Sequence, residues 1–186
     1  MKFILFSGSL RTGSLNKKLM HVIARYIASR GSCDVEVVDL KSLDIPVYDG
    51  DIELAGLPDG VRRLGEHIAD ADALIITSPE YNGSIASPLK NAIDWISRLR
   101  PVPFEKKPTL LTGASPGGFG SIRALGHSRA PLEAVGCYLF PQSFGLAKAN
   151  EAFDEAGELK DEAATKRLYA LLESYIEYAN KLKTVR

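Results

Sequence analysis

The sequence predicts a three-layer α/β sandwich, with five parallel strands in one sheet and helices on both of its faces. Three observations carry this reading. Short apolar runs alternate with longer segments of helical period, which is the pattern of βαβ units around a parallel sheet. The runs Phe3-Ile4-Leu5-Phe6 and Leu74-Ile75-Ile76 are nearly continuous in apolar character, as suits strands buried on both faces. The 186 residues are enough for such a sheet and its covering helices but cramped for a second domain, so one domain over residues 1–186 is expected.

Taken in order, the strands are expected at Lys2 to Ser7, Asp34 to Leu40, Ala73 to Thr77, Thr109 to Gly113 and Tyr138 to Phe144. Helices fall between them, at about Ser14 to Ser29, Asp59 to Asp70, Pro88 to Leu99, Ser121 to Val135 and Asp161 to Leu182. The last is the clearest, because Ala164, Leu168, Leu171, Leu172, Tyr175, Ala179 and Leu182 recur on one face that must pack against the sheet. Ser87-Pro88 is a good helix start, with a serine able to cap and a proline pre-set for the first turn. Pro101-Val102-Pro103 reads as a connection, not a linker between domains.

Composition narrows the partners. Charged residues are 25% of the chain and sum to zero, so no global field draws in nucleic acid or an anionic membrane. Cys33 and Cys137, about a hundred residues apart, have neither metal-site nor redox-pair spacing. No apolar stretch approaches the roughly 20 residues needed to cross a bilayer, and the opening run is too short for a secretory signal. A cytoplasmic protein that handles small molecules or protein partners is expected.

In an open parallel sheet a ligand sits beyond the carboxyl ends of the strands, where strand order reverses. The loop after the first strand, Ser7-Gly8-Ser9-Leu10-Arg11-Thr12-Gly13-Ser14-Leu15-Asn16, is crowded with hydroxyls and leads directly into a helix. It offers backbone N–H groups, a positive helix end and the charge of Arg11 to one phosphate. Gly8 and Gly13 have the G-x-x-x-x-G spacing of a Walker A loop, but Ser14 and Leu15 stand where Lys and Ser/Thr are required, so nucleotide hydrolysis is disfavoured. Leu10 occupies the second glycine position of the dinucleotide pattern, which disfavours that use as well. A plain strand-to-helix turn capped by Ser14 is the structural alternative.

After the third strand, Ser78-Pro79-Glu80-Tyr81-Asn82-Gly83-Ser84 holds an aromatic, an amide and a glycine in a proline-stiffened turn, which can present donors and a flat side chain to a heterocycle. Tyr81 as a half-buried surface aromatic and Asn82-Gly83 as an ordinary turn are the plainer readings. After the fourth strand, Gly113 to Gly120 carries four glycines in eight residues, which lets backbone approach a ligand closely or simply makes a flexible connection.

The first loop, together with Pro79-Glu80-Tyr81-Asn82-Gly83-Ser84 and Leu89-Lys90-Asn91-Ala92-Ile93-Asp94-Trp95, resembles the NADPH-dependent FMN reductase family, which includes quinone, azo-dye and chromate reductases. The resemblance spans most of the chain. It implies a flavodoxin-like fold with strand order 2-1-3-4-5 and an FMN cofactor. Ser9, Arg11, Ser14, Leu15 and Asn16 are implied around the FMN phosphate, and Pro79, Glu80, Tyr81 and Asn82 at the isoalloxazine ring. Ser115, Gly117 and Gly118 are implied as a second wall of the pocket, with Pro116 and Phe119 as local departures from the family pattern.

The implied chemistry passes a hydride from NADPH or NADH to FMN and then electrons to a quinone, azo compound, chromate or flavin at the same open face. No residue is identifiable that reads the 2′-phosphate. Side chains of such an enzyme are positioners, so no catalytic residue, triad or metal site is assigned. His127 is read as structural and Arg123 is left without a role. The resemblance also implies a homodimer or homotetramer, to which Ile93, Trp95 and Ile96 could contribute, although their spacing suits an ordinary core equally. Three other readings stay open on these residues: a reductase releasing reduced flavin to a partner enzyme, an electron-carrying flavodoxin, and a flavin-free interaction module. Neutral net charge speaks against the carrier.

Overall fold

The computed structural model describes residues 1–184. Along the chain run β1 (Lys2–Ser7), α1 (Leu15–Ser29), β2 (Asp34–Val38), a 3-10 turn (Leu40–Leu43), α2 (Gly50–Ala55), α3 (Asp59–Asp70) and β3 (Ala73–Thr77). There follow β4 (Glu80–Tyr81), β5 (Ser84–Ile85), α4 (Ser87–Ile96), β6 (Pro108–Ala114), α5 (Ile122–Ala134), β7 (Tyr138–Leu146) and α6 (Glu162–Lys183).

Five strands form one parallel sheet of order β2-β1-β3-β6-β7, the expected flavodoxin-like 2-1-3-4-5 arrangement. Alternation along β1 divides the core. Phe3 and Leu5 face one layer with Leu19, Ile23 and Ile27 of α1 and Leu168, Leu172 and Tyr175 of α6. Ile4 and Phe6 face the other, with Val61 and Leu64 of α3, Trp95 and Ile96 of α4 and Leu132 of α5. Tyr175 is fully buried and aims its hydroxyl at the carbonyls of Leu74 (2.6 Å) and Pro108 (2.9 Å), tying α6 to β3 and β6. On α6, Ala164, Leu168, Leu172, Tyr175 and Ala179 are buried as expected, while Leu171 and Leu182 are only half-buried.

Departures from expectation have local causes. Strand β2 stops at Val38 because the Asp39 side chain accepts from Lys41 N–H and starts the 3-10 turn. Strand β7 runs on to Leu146, with a register shift against β6 between Thr109 and Leu111. Helix α2, capped by Asp49, buries no residue and so leaves no apolar period in the sequence. Its neighbourhood is pinned from outside: Trp95 Nε1 and Asn91 Nδ2 both donate to the Pro46 carbonyl at 2.8 Å. Ile93, Trp95 and Ile96 are all buried in the core of the chain itself. No helix among the described residues is long and apolar enough to cross a membrane.

Candidate functional site

The carboxyl ends of β1 and β3 are level, and β6 runs two residues further, to Ala114. Ser7 pairs with Thr77 and Thr77 with Thr112, and two bonds carry this alignment into the loops: Gly8 N–H donates to the Thr77 carbonyl (2.8 Å) and Ser78 N–H to that of Thr112 (2.9 Å). The loops after these three strands therefore leave the sheet side by side, at the place where strand order reverses.

The first loop collects hydrogen-bond donors of the kind that bind an anion. Ser14 is the N-cap of α1, its hydroxyl accepting from Lys17 N–H at 3.4 Å, and Leu15 and Asn16 open the helix with N–H groups that lack intrahelical acceptors. Arg11 is exposed and pairs with no described residue, and the N–H groups of Arg11, Thr12 and Gly13 also donate to none. Gly13 takes a φ of +71°, which suits glycine. Ser9 is buried, with its N–H donating to the Ser7 hydroxyl at 3.3 Å. Asn16 behaves differently: its Nδ2 donates to the Ala114 carbonyl and its Oδ1 accepts from Ala114 N–H, both at 2.9 Å. Its amide fastens α1 to the end of β6, leaving its backbone N–H and one side-chain hydrogen for a ligand.

The second loop is a β-hairpin, more regular than the turn its sequence predicts. Strands β4 and β5 pair antiparallel, Glu80 with Ile85 and Tyr81 with Ser84, across Asn82 and Gly83 at φ of +51° and +76°. Two consecutive positive φ values mark a tight hairpin turn for which Asn-Gly is the favoured sequence. Tyr81 and Asn82 are exposed on it, and Pro79 is half-buried at its base. Glu80 points the other way. Its side chain is only 9% exposed, and its carboxylate accepts from Arg123 N–H (3.2 Å), from Arg123 Nε (2.7 Å) and from Nη2 in a shorter contact. The Arg123 hydrogen bond holds this carboxyl below the usual carboxylate range.

In the third loop, Ser115 N–H donates to the Leu146 carbonyl (3.1 Å), Ala149 N–H to that of Ser115 (2.9 Å) and Lys148 N–H to that of Gly117 (3.0 Å). Its glycines differ in kind. Gly117 and Gly118 are exposed, and a Cβ on Gly118 would meet nothing within 4 Å, so packing does not require glycine there. Gly113 and Gly120 are required: a Cβ on Gly113 would lie 2.7 Å from the Ser78 carbonyl oxygen, and one on Gly120, whose φ is +56°, would lie 2.6 Å from Gly145 C.

Arg123 and His127 emerge as structural partners of the second loop. One turn apart on α5, they hold opposite strands of the hairpin, Arg123 at Glu80 and His127 through Nδ1 at the Ser84 hydroxyl (3.1 Å). Their i, i+4 spacing was legible. Partners 43 residues away were not.

Among the described residues, the buried hydroxyls Thr77 Oγ1 and Ser121 Oγ have no hydrogen-bond partner, and both lie at this same edge. The unpaired Arg11 and the free N–H groups of the first loop leave polar capacity for a phosphate-bearing ligand that the fold itself does not use. The three loops form an open shelf. A cavity of about 360 Å³ lies to one side, between Leu10, Ile45, Val47, Pro88 and Asn91, and none of the expected site residues lines it. The shelf is favoured as the site because the unused donors are there.

Comparison with known proteins agrees with this geometry. The family model for NADPH-dependent FMN reductase matches residues 1–151. An NAD(P)H-dependent FMN reductase of Pseudomonas aeruginosa is 36% identical over 184 residues, covering 98% of this chain and 97% of that protein. A quinone reductase of Escherichia coli is 34% identical over 187 residues, covering 98% and 97%. Among solved structures, the flavoenzyme NAD(P)H:(acceptor) oxidoreductase FerB from Paracoccus denitrificans aligns with a TM-score of 0.83 at 31% identity, over 97% of both chains. With the sheet order and three loops that carry the expected motifs, these likenesses establish that the chain belongs to the NADPH-dependent FMN reductase family.

Proposed function

We propose that the chain is an FMN-holding reductase that takes a hydride from NADPH or NADH and passes electrons to a small organic acceptor of quinone type. The observation that carries it is the convergence of an unpaired Arg11 and free N–H groups with an exposed Tyr81-Asn82 turn at one sheet edge. Ser9, Arg11, Ser14 and the N–H groups of Leu15 and Asn16 hold the phosphate. Pro79, Tyr81, Asn82, Ser115, Gly117 and Gly118 border the ring, and Glu80 contributes through its backbone. The bound flavin supplies hydride and electron transfer; the protein supplies position, so donor and acceptor use the open face of the shelf in turn.

The acceptor class is favoured by the relatives named as quinone reductases from Escherichia coli and Burkholderia. A homodimer or homotetramer belongs to the same reading, since Val47 and Leu54 are 82% and 88% exposed on a chain without net charge to keep copies apart. Two free cysteines suit a reducing cytoplasm.

An absorption spectrum of the purified protein, followed by anaerobic addition of NADPH and then a benzoquinone, tests the proposal. Flavin absorbance bleached by nucleotide and restored by quinone is expected. A protein that neither retains added FMN nor oxidises NADPH in its presence would refute it.

A further inference from the structure

The second loop is held in place from outside itself. A hairpin of two residues per strand is not stable alone, so its orientation must come from outside contacts. Its root is sound, because Ala86 is buried and Ile85 packs on the core. The turn end depends on α5, and there Arg123 is the central contact. Its guanidinium binds the Glu80 carboxylate, lies 3.9 Å from the position of a Cβ on Gly83, and sits 5.5 Å from the ring centroid of Phe119 in the third loop. One side chain thus touches both loops that would flank a flat ring, and it does so away from the first loop, which is fastened separately through Asn16 and Ala114.

We propose that Arg123 is a positioning residue that sets the spacing of the hairpin and the third loop, and so controls affinity for the flavin ring independently of the phosphate. The inference rests on the FMN reading above. Its physical basis is the planar fork of arginine, which serves a carboxylate edge and an aromatic face together, as a lysine cannot. The Arg123 side chain is 59% exposed, so its loss removes little from the fold, whereas Glu80, 9% exposed, loses its counter-charge. The hairpin then relaxes toward solvent.

The test measures binding of FMN and of riboflavin, which lacks the phosphate, to the flavin-free full chain by flavin fluorescence. Arg123→Ala is expected to weaken both ligands by a similar factor, roughly fivefold to tenfold, the scale of one charge-assisted hydrogen bond attenuated by solvent. Arg123→Lys is expected to recover only part of that loss. Glu80→Gln, which keeps the shape, is expected to weaken both ligands less, and the double variant Arg123→Ala/Glu80→Gln to be no worse than Arg123→Ala alone. Riboflavin affinity unchanged within about twofold in a folded Arg123→Ala protein, or losses that simply add in the double variant, would overturn the proposal. An Arg123→Ala effect seen only in the mass of the assembly would overturn it too, making Arg123 a contact between copies. Arg11→Ala serves as the control for the reading beneath: it should weaken FMN and spare riboflavin. Failure of that control strikes the phosphate assignment, and the riboflavin result with Arg123→Ala still decides the present one.

Discussion

The Asn16 side chain meets the backbone of Ala114 as a peptide group would, donating to its carbonyl and accepting from its N–H at 2.9 Å each, across 98 residues of sequence. Strands β1 and β6 are not neighbours in the sheet, so this amide ties the start of α1 to a strand end that β1 does not itself pair with. Asn16→Ala leaves two buried backbone groups unpaired and is expected to cost about 2 kcal/mol in urea unfolding. Asn16→Asp keeps the acceptor but loses the donor and sets a carboxylate beside the proposed phosphate. We expect it to weaken FMN binding more than Asn16→Ala does; equal FMN affinities in the two variants would argue against a phosphate there.

Arg11 and Tyr81 divide the proposed work. Arg11→Ala should strip FMN from the purified protein, lowering affinity by about tenfold or more, because an unpaired guanidinium facing a phosphate is lost. Tyr81→Ala should leave thermal stability nearly unchanged, the side chain being 42% exposed, while altering kcat/KM for quinone. Flavin content and steady-state rates check the pair. An Arg11→Ala protein that keeps a full complement of FMN would remove Arg11 from the site.

Gly113→Ala tests how tightly the loops are packed at their roots. The added methyl would press on the Ser78 carbonyl oxygen at 2.7 Å and on Ser121 Cβ at 2.8 Å, so the loop roots must shift to admit it. We expect a loss of roughly 2–3 kcal/mol. Gly118→Ala meets open space and should change stability by less than about 0.5 kcal/mol, so a chemical denaturation comparison separates packed from unpacked glycines.

Acid should loosen the hairpin. The Glu80 carboxyl is held below its ordinary value of 4.5 by the Arg123 hydrogen bond, so its contribution is complete above that value. It is lost as pH falls below 4.5 through the depressed folded value, where the carboxylate is protonated. The stability difference between wild type and Glu80→Gln should therefore shrink over that acid interval and stay flat from pH 6 upward. A difference that does not change with acidification would deny the pairing a role in the folded state.

These particulars show what a sequence exposes. Strands β1 and β3 fall on their expected residues because runs buried on both faces have sharp ends, where apolar character gives way to serine, proline or glycine. Helix α2 left no sign, since it buries nothing and periodicity records only burial. The hairpin was written in Asn82-Gly83, but its strands are two residues long and too short to show alternation. The candidate loops were legible because turn chemistry is local. What those side chains touch was not: Asn16 reaches Ala114, Glu80 reaches Arg123, and no pattern within a window connects residues so far apart.

The neighbouring ends of β1, β3 and β6 bear on how the molecule assembles. Residues 7 to 121 must all be in place before the shelf exists, and every pairing in the sheet is parallel, closed by a crossover. Such long closures come late on a folding route. A chain still folding therefore has nothing for flavin to grip, and FMN should leave the refolding rate unchanged while slowing unfolding. On that account the cofactor acts as a latch on the finished protein and takes no part as a template in making it.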